Sequence, residues 1–294
     1  VYDDRSVKTR QGSNQLNTGA VGSFVCDGLF TANYDNGNQS MIGFWDDSAL
    51  VLSGTTFVTI PSAQGLYSGG TRVEHVMYQD VSFFGQGITP YKYDGTDFTK
   101  QGVDRAVSTM TAASNGAGNL EGSYSYKFAY VNSFSAIGDL SAAAITFLAT
   151  STGSQIDLSS ISTAQQSQGV ASRAIYRTDN DGSTYKLIAT ISDNSTTTYT
   201  DNIASSAAGA SADTDAGLPP DWRFAITFQD RLFCVEDGAE PSYVYYSNLG
   251  NPFIFASTSF VKVNRSDGEK ITGLGVHGNS LIIYKENSVW ALYM

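Results

Sequence analysis

The sequence contains little charge, few cysteines and histidines, and no long apolar run. Only 15% of its 294 residues are charged, and it has two cysteines and two histidines. No apolar stretch approaches the roughly 18 residues of a membrane-spanning helix, so we expect no membrane span. The histidines, His75 and His277, are too far apart to suggest a zinc site. The apolar neighbours of Cys26 and Cys234 predict buried, reduced thiols rather than a disulfide framework.

The charge that is present is acidic. A net charge of −11 argues against a nucleic-acid-binding surface, because such surfaces use Lys and Arg to displace counterions from phosphates. The simpler interpretation is that acidity keeps a tyrosine-rich surface soluble. The alternative is an acidic wall past which DNA slides without adhering.

Aromatic residues and turn formers are abundant instead. The chain has 17 Tyr, 16 Phe and 29 Gly, and no stretch shows sustained helical periodicity. Short β-branched and aromatic runs separated by turn formers predict an all-β protein.

Two sets of short echoes indicate internal repeats. Residues 50–57 and 91–98 each combine alternating large residues with a Gly-Thr turn and a Phe, and Gly54 and Gly95 lie 41 positions apart. This spacing matches the ~40–45 residues of a four-stranded propeller blade. A second set places Asp80, Asp230 and Asn279 at turns just before apolar strands. The echoes favour propeller-like blades, and the alternative is a β-sandwich with coincidental hairpins.

The middle of the chain differs from both ends. We expect flexible junctions at residues 112–119 and 204–213, and between them a stretch the size of an immunoglobulin-like sandwich. Alternation of Tyr124, Tyr126, Phe128 and Tyr130 with smaller or polar residues predicts a half-buried strand. This part resembles a fibronectin type III-like module, on the segments "SYSYKFAYVNSFSAIGDLS", "AIYRTDNDGSTYKLIATI" and "TTTYTDN". The predicted domains are N-terminal blades at 1–113, an inserted domain at 114–217 and C-terminal blades at 218–294.

The C-terminal part resembles propeller blades of bacteriophage virion proteins. The residues that carry the resemblance are "WRFAITFQDRLFCVEDGAEPSYVYYSNLGNPFIF" and "VKVNRSDGEKITGLGVHGNSLIIYKENSVWAL". In that family, a β-propeller with an immunoglobulin-like insert forms part of the tail, as in the nozzle or hub proteins of short-tailed phages. The chain holds about four blades' worth of sequence. Either residues 1–4 complete the last blade, or the natural chain is longer.

The resemblance implies a location and partners. We expect a non-enzymatic structural protein of the virion, in a ring-shaped tail hub or nozzle around the DNA channel. Its partners would be copies of itself in the ring, other tail proteins on the adaptor or portal side, and fibres. Contact with passing DNA would be passive.

The candidate catalytic residues predict no enzyme. A glycosidase needs two carboxylates facing each other across a sugar, but most of the available ones adjoin turn residues, where capping is the simpler role; they are Asp46, Asp47, Asp94, Asp97, Asp104, Glu236 and Asp237. Residues 178–185 resemble the structural Asp-box hairpin of sialidases. Asp179 and Asp181 match only part of a calcium loop, because Arg177 occupies the first ligand position. Residues 65–70 lack the Lys of a phosphate loop.

We therefore predict no catalytic, cofactor-binding or metal-binding residues and no cofactor. Trp45, Trp222 and Trp290 are expected in the core. Two alternative functions stay open. One is a receptor-binding tail component that recognises glycans through loop aromatics such as Tyr67, and the other is a propeller glycosidase.

Overall fold

The computed structural model describes residues 26–293 except 64, 68, 237, 239, 265 and 266. These residues form 22 β-strands, three short 3₁₀ turns and no α-helix, which confirms the all-β prediction. No helix in this part of the chain is long and apolar enough to cross a membrane. The expectation that residues 1–4 complete a last blade lies outside the described residues.

Four groups of consecutive antiparallel strands, here called meanders 1 to 4, lie outside the middle segment. Meander 1 contains β1 (Cys26–Asn33), β2 (Gln39–Trp45), β3 (Ser48–Ser53) and β4 (Thr56–Thr59). Meander 2 contains β5 (Glu74–Tyr78), β6 (Val81–Gly85), β7 (Tyr91–Tyr93) and β8 (Phe98–Lys100).

The other two meanders follow the middle segment. Meander 3 contains β16 (Trp222–Phe228), β17 (Arg231–Glu236), β18 (Tyr243–Tyr246) and β19 (Phe260–Lys262). Meander 4 contains β20 (Ile271–His277), β21 (Ser280–Lys285) and β22 (Val289–Tyr293).

The echoes seen in the sequence occupy equivalent places in these meanders. Gly54 and Gly95 both lie in the turn between the third and fourth strands, with positive φ angles of 62° and 96°. Asp80 and Asp230 lie in the turn between the first and second strands, with φ angles of 61° and 57°, and Asn279 lies in the same turn of meander 4. The predicted hairpins are confirmed at these positions. Gly54, Gly95, Asp80 and Asp230 have left-handed backbone, which Gly and Asp tolerate, and in the turn of meander 4 Gly278 has it, with a φ of 58°.

The meanders lie side by side in chain order. First strand contacts first strand: β1 lies against β5, β5 against β16, and β16 against β20. An aromatic cluster joins meanders 1 and 2, in which the ring centroids of Phe44 and Phe84 are 4.9 Å apart. Phe233 of meander 3 shares a buried cluster with Leu281 and Ile283 of meander 4. The four meanders therefore form one continuous series.

The middle segment contains seven strands in two sheets. The four-stranded sheet has the order β11 (Ile145–Ser154), β10 (Leu120–Asn132), β13 (Val170–Arg177) and β14 (Lys186–Ile191). The three-stranded sheet has the order β15 (Tyr199–Asp201), β12 (Ile156–Ser159) and β9 (Thr111–Ser114). Buried residues of both sheets join the largest hydrophobic cluster of the protein, which also includes residues of meanders 2 and 3.

The alternating aromatic strand is confirmed, and both predicted junctions form backbone hydrogen bonds with neighbouring strands. Tyr126 and Phe128 of β10 are fully buried. Residues 112–119 begin inside β9, which pairs with β12. Within residues 204–213, the segment 209–212 runs along β14, where the amide of Leu187 donates to the carbonyl oxygen of Ala210 at 2.9 Å. Small residues in these stretches allow this close approach of the backbones. The predicted boundary at 113/114 falls within β9, and that at 217/218 falls between β15 and β16.

Three predictions of burial are wrong. Cys26 is exposed whereas Cys234 is buried, because Cys26 opens the first strand of the series. Trp290 is 41% exposed, because β22 is an edge strand of meander 4. Tyr67, expected as an exposed loop aromatic, is buried against Phe44. In each case the local pattern does not reveal which surface the neighbouring sheet covers.

Candidate functional site

A row of hydrogen-bonded turns connects all four meanders at one end. The amide of Asp35, in the first turn of meander 1, donates to Oδ1 of Asp80 in the first turn of meander 2, at 2.7 Å. The hydroxyl of Tyr78 donates to the carbonyl oxygen of Asp230 in meander 3, at 3.1 Å. These two hydrogen bonds join meander 1 to meander 2 and meander 2 to meander 3, in chain order.

Side chains make the contact between the first turns of meanders 3 and 4. Nε2 of Gln229 donates to Oδ1 of Asn279 at 2.7 Å. The contacts between meanders are therefore specific polar contacts as well as hydrophobic ones, and they fix how each meander sits on the next. Three of the turns carry carboxylates, at Asp35, Asp80 and Asp230, so this end of the series is acidic.

A buried tryptophan packs meander 3 against meander 2. Trp222 is fully buried, and its indole Nε1 donates to Oε1 of Gln101 at 2.8 Å. Gln101 in turn donates from Nε2 to the carbonyl oxygen of Pro252 at 2.7 Å. A Cβ atom at Gly85 would overlap the indole ring, so this position requires glycine. The tryptophan thus has its polar atom satisfied in a tightly packed junction.

A polar cleft of about 450 Å³ lies between meander 2 and the middle segment. Carboxylates, hydroxyls and amides line it, including Ser62, Asp94, Asp97, Thr99, Gln166 and Asn194. Lys92 lies buried beside the cleft, and its Nζ donates to the hydroxyl of Thr99. Burial lowers the pKa of Lys92 to about 8, although Asp94 and Asp97 act in the opposite direction. Such a surface offers hydrogen bonds to a hydroxyl-rich ligand.

The carboxylates considered in the sequence are mostly engaged in local contacts. Oδ1 of Asp94 accepts bonds from the amides of Thr96 and Asp97, at 3.0 and 2.8 Å. Asp104 pairs with Lys100 at 2.6 Å. Oε1 of Glu236 accepts a bond from the hydroxyl of Tyr245 at 3.2 Å. Among the carboxylates considered in the sequence, Asp94 and Asp97 both line the polar cleft.

The remaining candidate carboxylates lie at turns. Asp46 has a positive φ of 57°, and Oδ1 of Asp47 accepts a bond from the hydroxyl of Ser48 at 2.7 Å. Both lie in the β2–β3 turn of meander 1. Asp237 lies outside the described residues.

The hairpin that resembles an Asp-box is part of the middle segment's four-stranded sheet. Oδ1 of Asn180 accepts a bond from the amide of Ser123 at 2.8 Å, and Asp179 forms an ion pair with Lys186 at 2.6 Å. No group of three or more His, Cys, Asp or Glu side chains in the described part of the chain is placed to hold a metal ion. These contacts give the hairpin a structural role.

The two histidines have different surroundings. His75 lies between Phe30 and Phe84, at ring centroid distances of 5.1 and 5.0 Å. Burial lowers the pKa of His75 to about 4. His277 ends β20 and is exposed. The structure does not bring the two histidines into one site.

Three buried charged side chains, Arg177, Lys285 and Lys92, were not anticipated from the sequence. Arg177 pairs with Asp201 at 2.6 Å, and both side chains are fully buried. The hydroxyl of Tyr126 donates to the same carboxylate oxygen at 2.9 Å. Lys285 is buried and pairs with Asp267 at 2.6 Å, whereas the buried Lys92 donates a hydrogen bond to the hydroxyl of Thr99. The sequence feature that could have indicated a buried charge is a charged residue inside an apolar strand, as in Tyr-Lys-Tyr at 91–93.

Comparisons with known proteins leave the family open. No family model matches the chain, and no curated protein matches it. One matching solved structure is the crystal structure of the computationally designed Ika8 protein, in crystal packing No. 1. It is 8% identical, the match covers 93% of this chain and 97% of that chain, and the TM-score is 0.20. A match at this TM-score carries no argument about fold or function.

Proposed function

We propose that this chain is a non-enzymatic structural protein of a bacteriophage tail, forming part of a ring-shaped hub or nozzle around the DNA channel. The observation that carries the proposal is the row of hydrogen-bonded turns from Asp35 to Asn279. A conduit has to keep its shape under load, and repeated sheets joined by specific contacts provide that rigidity. The resemblance of residues 222–255 and 261–292 to virion blades supports the same function.

In this proposal the meanders are propeller-like blades and the middle segment is an immunoglobulin or fibronectin III-like insert. Blades are arranged radially with their first strands around a common axis, and the adjacency of β1, β5, β16 and β20 fits that arrangement. Two sheets that share a core fit a sandwich. The insert follows meander 2 and precedes meander 3, where Trp222 and Gln101 join the two.

The mechanism is geometric and electrostatic. Copies of the chain form a ring that encloses the channel, and the ring contacts other tail proteins on its adaptor or portal side and the fibres. The net charge of −11, with carboxylates at Asp35, Asp80 and Asp230 along one end, keeps phosphates from adhering to the wall. Like charges repel over about 8–10 Å at physiological ionic strength, which is enough to keep DNA mobile.

Electron microscopy of the purified protein and of its parent particle tests the proposal. We expect closed rings of the isolated protein and density for the same ring on the tail axis. A peripheral position in the particle, or a protein that stays monomeric and binds no other virion protein, would contradict it. A filter-binding assay with double-stranded DNA at low salt serves as a second measurement, in which we expect no retention.

The polar cleft supports a second candidate, a tail component that recognises a host glycan. Its carboxylates and amides, among them Asp97 and Gln166, suit the hydroxyl groups of a sugar. Glycan-array binding that is lost in an Asp97→Ala, Gln166→Ala double variant, but kept in a Tyr67→Phe variant, would favour this function. An array without any signal would remove it.

A further inference from the structure

Thr99 carries a buried hydroxyl in the polar cleft between meander 2 and the middle segment. The residue is 4% exposed and nevertheless lines the cleft. The middle segment approaches it through Gly169, where a Cβ would lie 2.7 Å from Oγ1 of Thr99. A side chain at position 169 would therefore collide with the hydroxyl. This glycine allows two separate parts of the protein to line one site.

Lys92 fixes the direction of the Thr99 hydroxyl. The two residues are paired across β7 and β8, and Nζ of Lys92 donates a hydrogen bond to Oγ1 of Thr99. An ammonium group has three donors and no acceptor, so the Thr99 oxygen must accept this bond and the Thr99 proton must point elsewhere. Within the described part of the chain, no residue accepts that proton. The hydroxyl is therefore available to donate into the cleft.

The surroundings of Lys92 keep its amine protonated at neutral pH. Lys92 is 2% exposed, and its Nζ lies 5.5 Å from the ring centroid of Phe134 in the middle segment. The face of an aromatic ring stabilises a cation. Burial lowers the pKa of Lys92 to about 8, and the carboxylates that face it from the β7–β8 turn, Asp94 and Asp97, oppose this shift. The group is therefore mainly an ammonium below pH 8 and a neutral amine above it.

The cleft also supplies hydrogen-bond acceptors. Oδ1 of Asp94 caps its own turn, but Oδ2 of Asp94 and both oxygens of Asp97 accept no hydrogen bond from the described residues. The side-chain amide of Gln166 is likewise uncommitted within this part of the chain. A carboxylate only accepts hydrogen bonds, whereas an amide both donates and accepts. The cleft thus presents one directed hydroxyl donor together with negatively charged acceptors.

We propose that the cleft binds a neutral sugar and that Lys92, acting through Thr99, is a positioning residue for it, which deepens and rests on the glycan-recognition candidate above. Each hydroxyl of a sugar both donates and accepts, so one can accept from Thr99 while another donates to Asp97. An acidic sugar is disfavoured because its carboxylate would face those of Asp94 and Asp97. The cleft volume of about 450 Å³ lies within the roughly 300–1,000 Å³ of small-ligand sites.

Titrations followed by saturation-transfer difference NMR test the ligand class. The probes are the methyl glycosides of glucose, galactose and mannose, each paired with the methyl glycoside of its uronic acid. We expect at least one neutral glycoside to bind, and its uronic acid to bind at least about tenfold more weakly, because like charges placed together in a site are costly. Thr99→Val should abolish binding, and Thr99→Ser, which keeps the hydroxyl, should retain it. Thermal unfolding shows whether each variant is folded.

The pH profile separates a positioning role of Lys92 from a purely structural one. The neutral amine has a lone pair, so above pH 8 the Thr99 hydroxyl can donate to Nζ instead of to the sugar. Affinity for the neutral glycoside should fall about tenfold from pH 7 to pH 9, where roughly one Lys92 in ten stays protonated. Lys92→Met, which keeps the length without the charge, should bind weakly at pH 7 and show no such fall.

The matched control for Lys92→Met is Lys127→Met. Nζ of Lys127 also lies 5.5 Å from an aromatic ring centroid, that of Tyr185, but Lys127 does not line the cleft. This variant should bind the neutral glycoside as the unmodified chain does, with the same fall in affinity above pH 8. An equal loss of binding in both lysine variants would contradict a specific role of Lys92.

The remaining outcomes separate this inference from the glycan candidate. Equal affinity for neutral and acidic sugars, or binding that survives in Thr99→Val, would overturn the inference and leave a glycan-binding cleft. A flat pH profile of the unmodified chain would overturn the positioning role of Lys92, even if Lys92→Met does not fold. If no sugar of either kind binds, the glycan candidate fails together with the inference, and the ring is still tested by electron microscopy.

Discussion

The hydroxyl of Tyr78 donates a hydrogen bond to the backbone carbonyl of Asp230, 152 positions later in the chain. The two residues occupy the ends of equivalent hairpins in meanders 2 and 3. The whole middle segment of seven strands lies between them in sequence, yet the meanders are joined as directly as 1 to 2 or 3 to 4. This contact shows that the series of meanders continues across the insertion.

Removing this hydroxyl should weaken the junction. A Tyr78→Phe variant loses the bonds to Asp230 while keeping the buried ring, and we expect a loss of about 1 kcal/mol in the free energy of unfolding. The measurement is chemical denaturation combined with amide hydrogen exchange at residues 228–231. Exchange there should speed up, because the first turn of meander 3 loses its tether.

The control for that variant is Tyr93→Phe. Its hydroxyl donates to the carbonyl oxygen of Gly95 within meander 2, at 2.9 Å. A similar loss of stability without faster exchange at 228–231 is expected. Equal exchange in both variants would show that the Tyr78 contact does not hold the two meanders together.

Substitutions at Gly54 and Gly95 should have similar effects. Both residues have positive φ, and a Cβ at either position meets no atom closer than 3.9 Å. The cost of Gly→Val is therefore one of backbone strain, about 1–2 kcal/mol at each site. Thermal unfolding of both variants measures it. Gly→Asn should cost less, since Asn tolerates this conformation, and a neutral Val at either site would contradict the equivalence.

Protonation of His75 should make stability depend on pH. Its folded pKa is about 4, below the unfolded value of about 6.5, so the unfolded chain binds the proton more readily. The contribution of His75 to stability is complete above pH 6.5 and is lost between pH 6.5 and 4, by on the order of 3 kcal/mol. Urea denaturation across this range measures the slope. A His75→Phe variant should flatten it, and an unchanged slope would assign the effect to other groups.

The buried ion pair of Arg177 and Asp201 should be sensitive to loss of one partner. Asp201→Ala leaves the Arg177 charge buried without its carboxylate and removes the acceptor of Tyr126, so we expect a loss of about 3–5 kcal/mol. Asp179→Ala breaks the solvent-exposed pair with Lys186 and should cost less than about 1 kcal/mol. Guanidinium denaturation compares the two. Similar losses would mean that burial does not set the strength of the Arg177 contact.

The polar contacts among the meanders could not have been predicted from the sequence. Asp80, Asp230 and Asn279 are recognisable as turn residues because left-handed backbone favours Asn, Asp and Gly. Nothing local shows that these turns meet, since their bonds join residues 45 to 152 positions apart. Lys92 illustrates the same limit. Its strand is buried on both sides. The sequence alone does not show this, because the burial of Lys92 depends on neighbouring segments that are distant in the chain.

The sequence by itself determined the all-β class, the hairpins at Gly54 and Gly95, and the alternating strand from Tyr124 to Tyr130. These features depend on backbone preference and on a period of two residues, both of which are local properties of the chain. Tertiary structure alone decided that Cys26 and Trp290 are exposed while Tyr67 is buried. Burial depends on which sheet covers a given face, and that is set by contacts between residues distant in sequence.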